Sequence, residues 1–346
     1  MRPPVRDQRF ARNAASDLDR SVPGGMLVSR LSPTSPTGST VSVAVVGICS
    51  ATHLERCLTG LAQQRGAPDF DTVVAYDPHL GGMDALAARW PQVRFVSNAG
   101  QRNPLELASR ALGEAGGDLI LLTEDHCIPE PDWVATMVAA QGPGRAVVGG
   151  LVEIRAGSSA VDWAFYFVDF FRYASPAREG ASPTLTVCNV SYSRASLEEI
   201  REIWRVYFHE TAINEALRER FGELWLDPRS RVTMSRHVTL SDALYERYAF
   251  GRLFGCTRLG FCTPGKRLYY CALAPLLPAV LLGRMGAKAF TSARLAGSFL
   301  RAIVPLTLMV LCWSWGEWLG YLTRAHPRSL VVAPEIRAAQ RAAALD

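Results

Sequence analysis

Two rhythms of hydrophobic and polar positions alternate from residue 41 onward. "VSVAVVGI" (41–48) is a near-continuous β-branched run, the texture of a strand buried on both faces. Thr52-His53-Leu54-Glu55 follows as a capping-box pattern, and Leu54, Cys57, Leu58 and Leu61 then recur at helical spacing. The unit repeats. "TVVAYD" (72–77) and "QVRFVS" (92–97) read as a second and third strand, and Asn103-Pro104-Leu105-Glu106 opens a helix that runs to about Ala115, with proline at its first position. "DLILLT" (118–123) is a fourth strand, Pro131 to Ala140 a helix carrying Trp133, Val134, Met137 and Val138 on one face, and "AVVGGLVEI" (146–154) a further strand. Strands alternating with helices predict an α/β fold: a mainly parallel, Rossmann-like sheet with helices on both faces.

The two ends of the chain have other textures. Residues 1–40 are rich in Pro, Ser, Thr and Arg without the continuous apolar core of a secretory signal, and read as a disordered lead-in. After Lys266-Arg267 come two strongly apolar segments, "LYYCALAPLLPAVLLG" (268–283) and "AIVPLTLMVLCWSWGEWLGY" (302–321). The first is short for a bilayer span, whereas the second is long enough and carries Trp313, Trp315, Trp318 and Tyr321, suited to an interfacial belt. Pro275, Pro278, Pro305 and Glu317 disturb a simple spanning helix, and arginine or lysine flanks both ends of both segments. The expectation is a membrane-embedded or re-entrant helical pair, set against a soluble helical subdomain as the alternative. The boundaries follow: 1–40 lead-in, 41–258 α/β domain, 259–325 membrane-associated helices, 326–346 tail.

Composition narrows the partners. The net charge of +5 owes much to arginines beside the apolar C-terminal segments, which favours an anionic membrane surface or a phosphorylated ligand and gives no expectation of nucleic acid. Eight cysteines show no CxxC pair and several sit in apolar runs, so they read as reduced core residues of a cytosolic compartment.

The candidate chemistry lies in "LLTEDHCIPEPDW" (121–133). Ligands gather at the carboxyl ends of strands in open α/β sheets. Asp77 ends the second strand and Glu124-Asp125-His126 ends the fourth, so two acidic features distant in sequence point at one crevice. On local grounds alone, Glu124 and Asp125 also suit the capping of the turn that follows.

This order of features, over roughly residues 41 to 255, resembles the family-two glycosyltransferases with the GT-A fold, particularly bacterial membrane-associated members that build surface polysaccharides. The resemblance implies an inverting, hexosyl-type transfer from a nucleotide-diphosphate sugar to a glycan or lipid-linked acceptor, on the cytoplasmic face of the cytoplasmic membrane. It implies that "VGICSATHLERCL" frames the base and that Asp77 contacts the nucleoside. It puts Glu124-Asp125-His126 in the place of the acidic DxD triplet, with Glu124 and Asp125 on the donor side and Asp125 and His126 as metal ligands. Histidine replaces the usual last aspartate, which points to Mn2+ in preference to Mg2+ or to a weakened dependence on metal.

"CNVSYSR" implies acceptor-side roles for Asn189 and Arg194. "FHETAINEALRERFG" implies Glu210 as general base with His209 before it on the acceptor side, although any helix N-terminus favours a first-turn glutamate. "ERYAFGR" makes Arg252, in preference to Arg247, the diphosphate clamp, with His237 a further contact. The aromatic run at 163–173 reads as core or as a surface admitting a lipid-linked acceptor. Ala108-Ser109 stands where such enzymes often carry Arg-Asn, with Arg110 nearby. Together with His126 and His209, this departure keeps a second reading open, a degenerate GT-A domain serving as a membrane scaffold.

Overall fold

A computed structural model of the protein describes residues 41–97, 103–142, 144–259 and 264–325. All belong to one compact unit, Gly38–Asp346. The expectations for residues 1–40 and for the tail at 326–346 lie outside the described residues.

The first half of the sheet follows the hydrophobic rhythm. Strands β1 (Val41–Gly47), β2 (Phe70–Tyr76), β3 (Arg94–Ser97) and β4 (Leu119–Glu124) are parallel, in the spatial order β3-β2-β1-β4. Every residue of β1 is buried, because it is flanked by β2 and β4 and covered on both faces. Helix α1 (Ala51–Ala62) turns Leu54, Cys57, Leu58 and Leu61 inward. Its cap is Ser50, two residues before the expected Thr52: the Ser50 hydroxyl accepts from the His53 amide. Helix α2 (Met83–Arg89) precedes β3, and α3 (Pro104–Glu114) precedes β4, with Asn103 accepting from the amides of Leu105 and Glu106 ahead of Pro104.

The second half of the sheet mixes directions. Short β5 (Cys127–Pro129) leads to α4 (Trp133–Ala140), then β6 (Val147–Ile154), α5 (Ala160–Phe170), β7 (Gly180–Ser182), β8 (Val190–Ser193), the short helices α6 (Arg194–Glu199) and α7 (Arg201–Trp204), α8 (Glu210–Phe221) and β9 (Leu224–Met234). The order continues β4-β8-β6-β9-β5. β8 is antiparallel to β4 and β6, β9 is parallel to β6, and β5 and β7 are antiparallel to β9. Ser175 to Asn189 bring the chain back so that β8 enters between β4 and β6, a return no crossover helix directs.

Helix α9 (Leu240–Arg258) opens at Thr239, whose hydroxyl accepts from the Asp242 amide. The apolar C-terminal segments form α10 (Pro264–Leu273), α11 (Leu277–Ala289) and α12 (Ala293–Thr323). Pro275 and Pro278 lie in the first turns of the helical pieces they start, which is where a missing amide proton is tolerated. Gly265–Ala289 and Ala293–Thr323 are long and apolar enough to cross a membrane. Even so, Leu295, Phe299, Ala302, Leu306 and Met309 of α12 join the same buried cluster as the sheet. Phe299 meets Phe167 of α5 edge-on, with ring centroids 5.5 Å apart. The aromatic run at 163–173 is therefore core, roofed by α12.

Farther along, α12 meets α9 backbone to backbone. A Cβ on Gly251 would lie 2.2 Å from the Trp313 carbonyl oxygen, and one on Gly316 would lie 2.2 Å from that of Tyr248. Gly255 and Gly320 repeat the contact one turn on, so each helix offers a Gly-x-x-x-Gly edge to the other.

Candidate functional site

The chain leaves β1 toward one side of the sheet and returns through β4 on the other, so the switch point lies at the carboxyl ends of these two neighbours. Asp125 sits there fully buried. Its amide donates to the Val46 carbonyl at 2.9 Å, and its Oδ2 accepts from the amides of Ile48, Cys49 and Ser50 at 3.0, 2.7 and 3.3 Å. One carboxylate oxygen thus holds the β1–α1 loop, while Oδ1 is buried without a hydrogen-bond partner.

Around Oδ1 the remaining groups converge. His126 Nδ1 lies 3.7 Å from Asp125 Oδ1 and 3.5 Å from Glu124 Oε2, and makes no hydrogen bond. The His126 ring, Cys127 and Cys188 bring ligand atoms within 4.8 Å of one another, as do Cys49, Asp125 and His126. Burial pushes the Glu124 carboxyl up to about 7, only partly offset by His126. Burial also opposes charge on His126, yet Cys127 and Asp125 outweigh it and raise its pKa. Cys127 moves the other way, down to about 6: burial raises it, while the Cys188 thiol and the His126 charge lower it further. Asp125 Oδ1 and His126 Nδ1, unsatisfied and adjacent in a buried place, fit a divalent cation. An imidazole with carboxylates suits Mn2+, and the three nearby thiols make the set softer than carboxylates alone.

Asp77, buried at the end of β2, has Oδ1 engaged by the His79 amide and ring nitrogen, both at 2.8 Å. Its Oδ2 makes no hydrogen bond within the protein.

Glu210 opens α8, and Val187 donates its amide proton to Glu210 Oε2 at 2.9 Å. The next residue, Cys188, belongs to the His126 cluster, which ties the base candidate to the β4 mouth. Burial lifts Glu210 to about 7; the Val187 amide pulls it down and the Asp169 carboxylate pushes it up. His209 is the N-cap of α8 by backbone position and is half-buried.

Other expected residues are elsewhere. Asn189 is fully buried: Trp133 Nε1 donates to its Oδ1 at 2.8 Å, and its Nδ2 donates to the carbonyls of Leu151 and Ser230. It braces α4, β6 and β9, and its side-chain groups are engaged within the fold rather than turned to an acceptor. Arg194 bonds the carbonyls of Ala115 and Gly117, at the start of β4, the end of the sheet away from the mouth. Arg252 donates to the Ala325 carbonyl, with Tyr248 and Thr323 beside it, so it closes the end of α12 and does not join the triplet. His237 faces Asp162 at 3.0 Å, and Arg110 pairs with Glu114 one turn along α3.

The basic residue delivered to the triplet is Arg236, which the sequence pattern did not single out. β9 pairs Met234 with Cys127, and the Ser235 amide donates to the His126 carbonyl at 2.8 Å, so Arg236 follows directly. Its guanidinium grips Glu246 with two hydrogen bonds, of 3.0 and 2.7 Å, above the Phe165 ring. Arg247 links Glu246 to Asp169, completing a buried network between α9 and α5. Arg236 and the adjoining Arg247 hold Glu246 below the usual carboxylate range despite its burial. The adjacent charges Glu246-Arg247 in α9 were the available signal.

Residues 45–201 match the family model described as glycosyl transferase family 2. No curated protein sequence matches the chain. Among solved structures, the mannosyltransferase PcManGT from Pyrobaculum calidifontis, in complex with GDP-Man and Mn2+, is similar with a TM-score of 0.52 at 15% identity, covering 89% of this chain and 93% of that one. That likeness is one of fold, and the mixed α/β sheet with helices around it is of the GT-A type.

Proposed function

Because the chain carries a family-two glycosyltransferase domain, we propose that it transfers a hexosyl unit with inversion from a nucleotide-diphosphate sugar to a membrane-associated, glycan or lipid-linked acceptor during surface polysaccharide assembly, on the cytoplasmic side. The observation that carries this reading is the pairing of a half-buried carboxyl near neutrality, Glu210, with the acidic mouth of β4 across Val187-Cys188. A base with a pKa near the working pH is half ionised where it acts and still strong enough to take a hydroxyl proton. Glu210 would remove the acceptor hydroxyl's proton as the sugar's anomeric carbon leaves the diphosphate from its other face.

The free Asp77 oxygen suits a hydrogen bond from the nucleoside. Asp125 and His126 would hold a divalent cation, Mn2+ in preference to Mg2+, whose charge offsets that growing on the departing diphosphate. Arg236, fixed by Glu246 beside His126, adds positive charge to the same place. Glu124 at the mouth tunes both, since its own proton affinity depends on His126.

The test is binding followed by turnover. Thermal melting of the purified full chain with UDP-, GDP-, dTDP- and CMP-sugars, with and without Mn2+, should reveal stabilisation by one nucleotide class, enhanced by the metal. Glu210→Ala should keep that shift and lose transfer. A folded chain that responds to none of the donors would instead be a scaffold.

A further inference from the structure

We propose that α10, α11 and α12 dock the protein flat on an anionic bilayer, lying in its surface rather than crossing it. This deepens the membrane partner of the reading above and rests on that partner alone.

Helix α12 has two unlike faces. Leu295, Phe299, Ala302, Leu306 and Met309 turn inward to α5 and the sheet, and Gly316 and Gly320 press bare backbone against α9. The opposite face carries Leu300, Val304, Leu308, Leu311 and Trp315 at helical spacing, all exposed, Val304 at 68%. Leu268, Leu276, Val280 and Phe290 extend the exposed apolar surface over α10, α11 and the turn before α12. An exposed apolar surface of this extent marks a binding face.

A crossing helix needs lipid or another membrane helix on all sides, and α12 is covered on one side along its length by the catalytic domain. Its inner neighbours α5 and α9 carry Asp169, Glu246 and Arg247, a charged network that a bilayer core would not admit. Lying in the plane avoids that conflict: the outward stripe enters the lipid and the domain stays in water.

Charge selects the occupant. Along α10 to α12 the charged residues are Lys266, Arg267, Arg284, Lys288, Arg294 and Arg301, and the acid Glu317, which is buried. Two copies of this face would repel each other, whereas an anionic leaflet attracts it. The face also adjoins the site: Lys288 on α11 donates to the Pro176 carbonyl at 2.6 Å, just beyond Phe171–Tyr173, the 3-10 turn that contains Arg172, whose charge Glu210 senses.

The full chain, diluted from detergent onto preformed sealed vesicles of phosphatidylcholine with or without phosphatidylglycerol, is floated and then treated with a membrane-impermeant maleimide. Ala293→Cys and Ala325→Cys place thiols at the two ends of α12, and peptide masses separate them from the native cysteines. Flat docking expects flotation that is stronger on the anionic vesicles, with both ends labelled before permeabilisation. One end that reacts only after permeabilisation would overturn it in favour of a span. A combined Leu300→Glu, Val304→Glu and Leu308→Glu variant should bind vesicles about tenfold more weakly or worse, with unchanged melting and an unchanged nucleotide-induced shift. Equal flotation of that variant, or equal flotation on neutral vesicles, would count against the assigned face or its charge. Absence of flotation by the parent chain would remove the membrane partner altogether, while sugar transfer measured in detergent reports on the catalytic reading independently.

Discussion

Glu210 accepts a 2.9 Å hydrogen bond from the Val187 amide, one residue before a thiol that packs against His126. A carboxylate at the start of a helix is commonplace. What distinguishes this one is that the bond holds it, half-buried, within two residues of the β4 mouth.

Its titration should be visible. With the carboxyl lifted to about 7, the base form is scarce in acid, so kcat should rise about tenfold per pH unit up to that value and level above it. A pH-rate profile flat from pH 5 to 8 would remove Glu210 from the base role. Folding raises this pKa above its unfolded value, so between about 4.5 and 7 the folded chain keeps a proton the unfolded chain has released. The carboxylate therefore costs stability as pH rises through that window, and Glu210→Gln should be the more stable protein above it, by about 1–3 kcal/mol in urea melts.

Asp125 should behave as a structural residue first. Asp125→Ala leaves the amides of Ile48, Cys49 and Ser50 without their acceptor, and the expected loss is about 2–4 kcal/mol of unfolding free energy. His126→Ala empties a buried ring whose Nδ1 makes no hydrogen bond, and should cost less than Asp125→Ala. Equal destabilisation by the two would contradict this division of labour.

Replacing the histidine tests the metal. His126→Asp supplies a hard oxygen where the parent has an imidazole, so the ratio of Mg2+-supported to Mn2+-supported transfer should rise several-fold. An unchanged ratio would mean that His126 does not touch the cation.

Asn189 separates brace from ligand. Asn189→Ala strands the Trp133 indole N–H and two carbonyls, and should lower stability by about 2–4 kcal/mol while leaving the acceptor KM of the remaining folded enzyme unchanged. A raised KM at unchanged stability would restore it to the acceptor site.

Much of the first half was legible because its strands are buried and so written in apolar runs: β1 lies within its expected segment, β2 begins two residues before its own and β4 ends one residue beyond, and with them comes the crevice between Asp77 and the triplet. The second half hides its logic in pairing. β9 reads "LWLDPRSRVTM", with Asp227, Pro228 and Arg229 interrupting any strand pattern, and so its role in carrying Arg236 to His126 left no local mark. A buried amide such as Asn189 looks the same in sequence whether it meets a sugar or a carbonyl. Arg252 was attractive for its glycine neighbour, but Gly251 is there to admit the Trp313 backbone and not a phosphate. The aromatic run of α5 could have faced lipid or protein, and only the position of α12, far along the chain, decides between them.

The contact of Gly251 and Gly255 with Gly316 and Gly320 has no side chain that could repack to let the helices slide or tilt. Were α12 to lie on the bilayer as proposed, with α9 rooted beside the site through Glu246, the crevice would stand at a set height above the lipid. An acceptor would then be selected by the distance from its anchor to its reactive hydroxyl, so that the enzyme measures length as well as recognising chemistry.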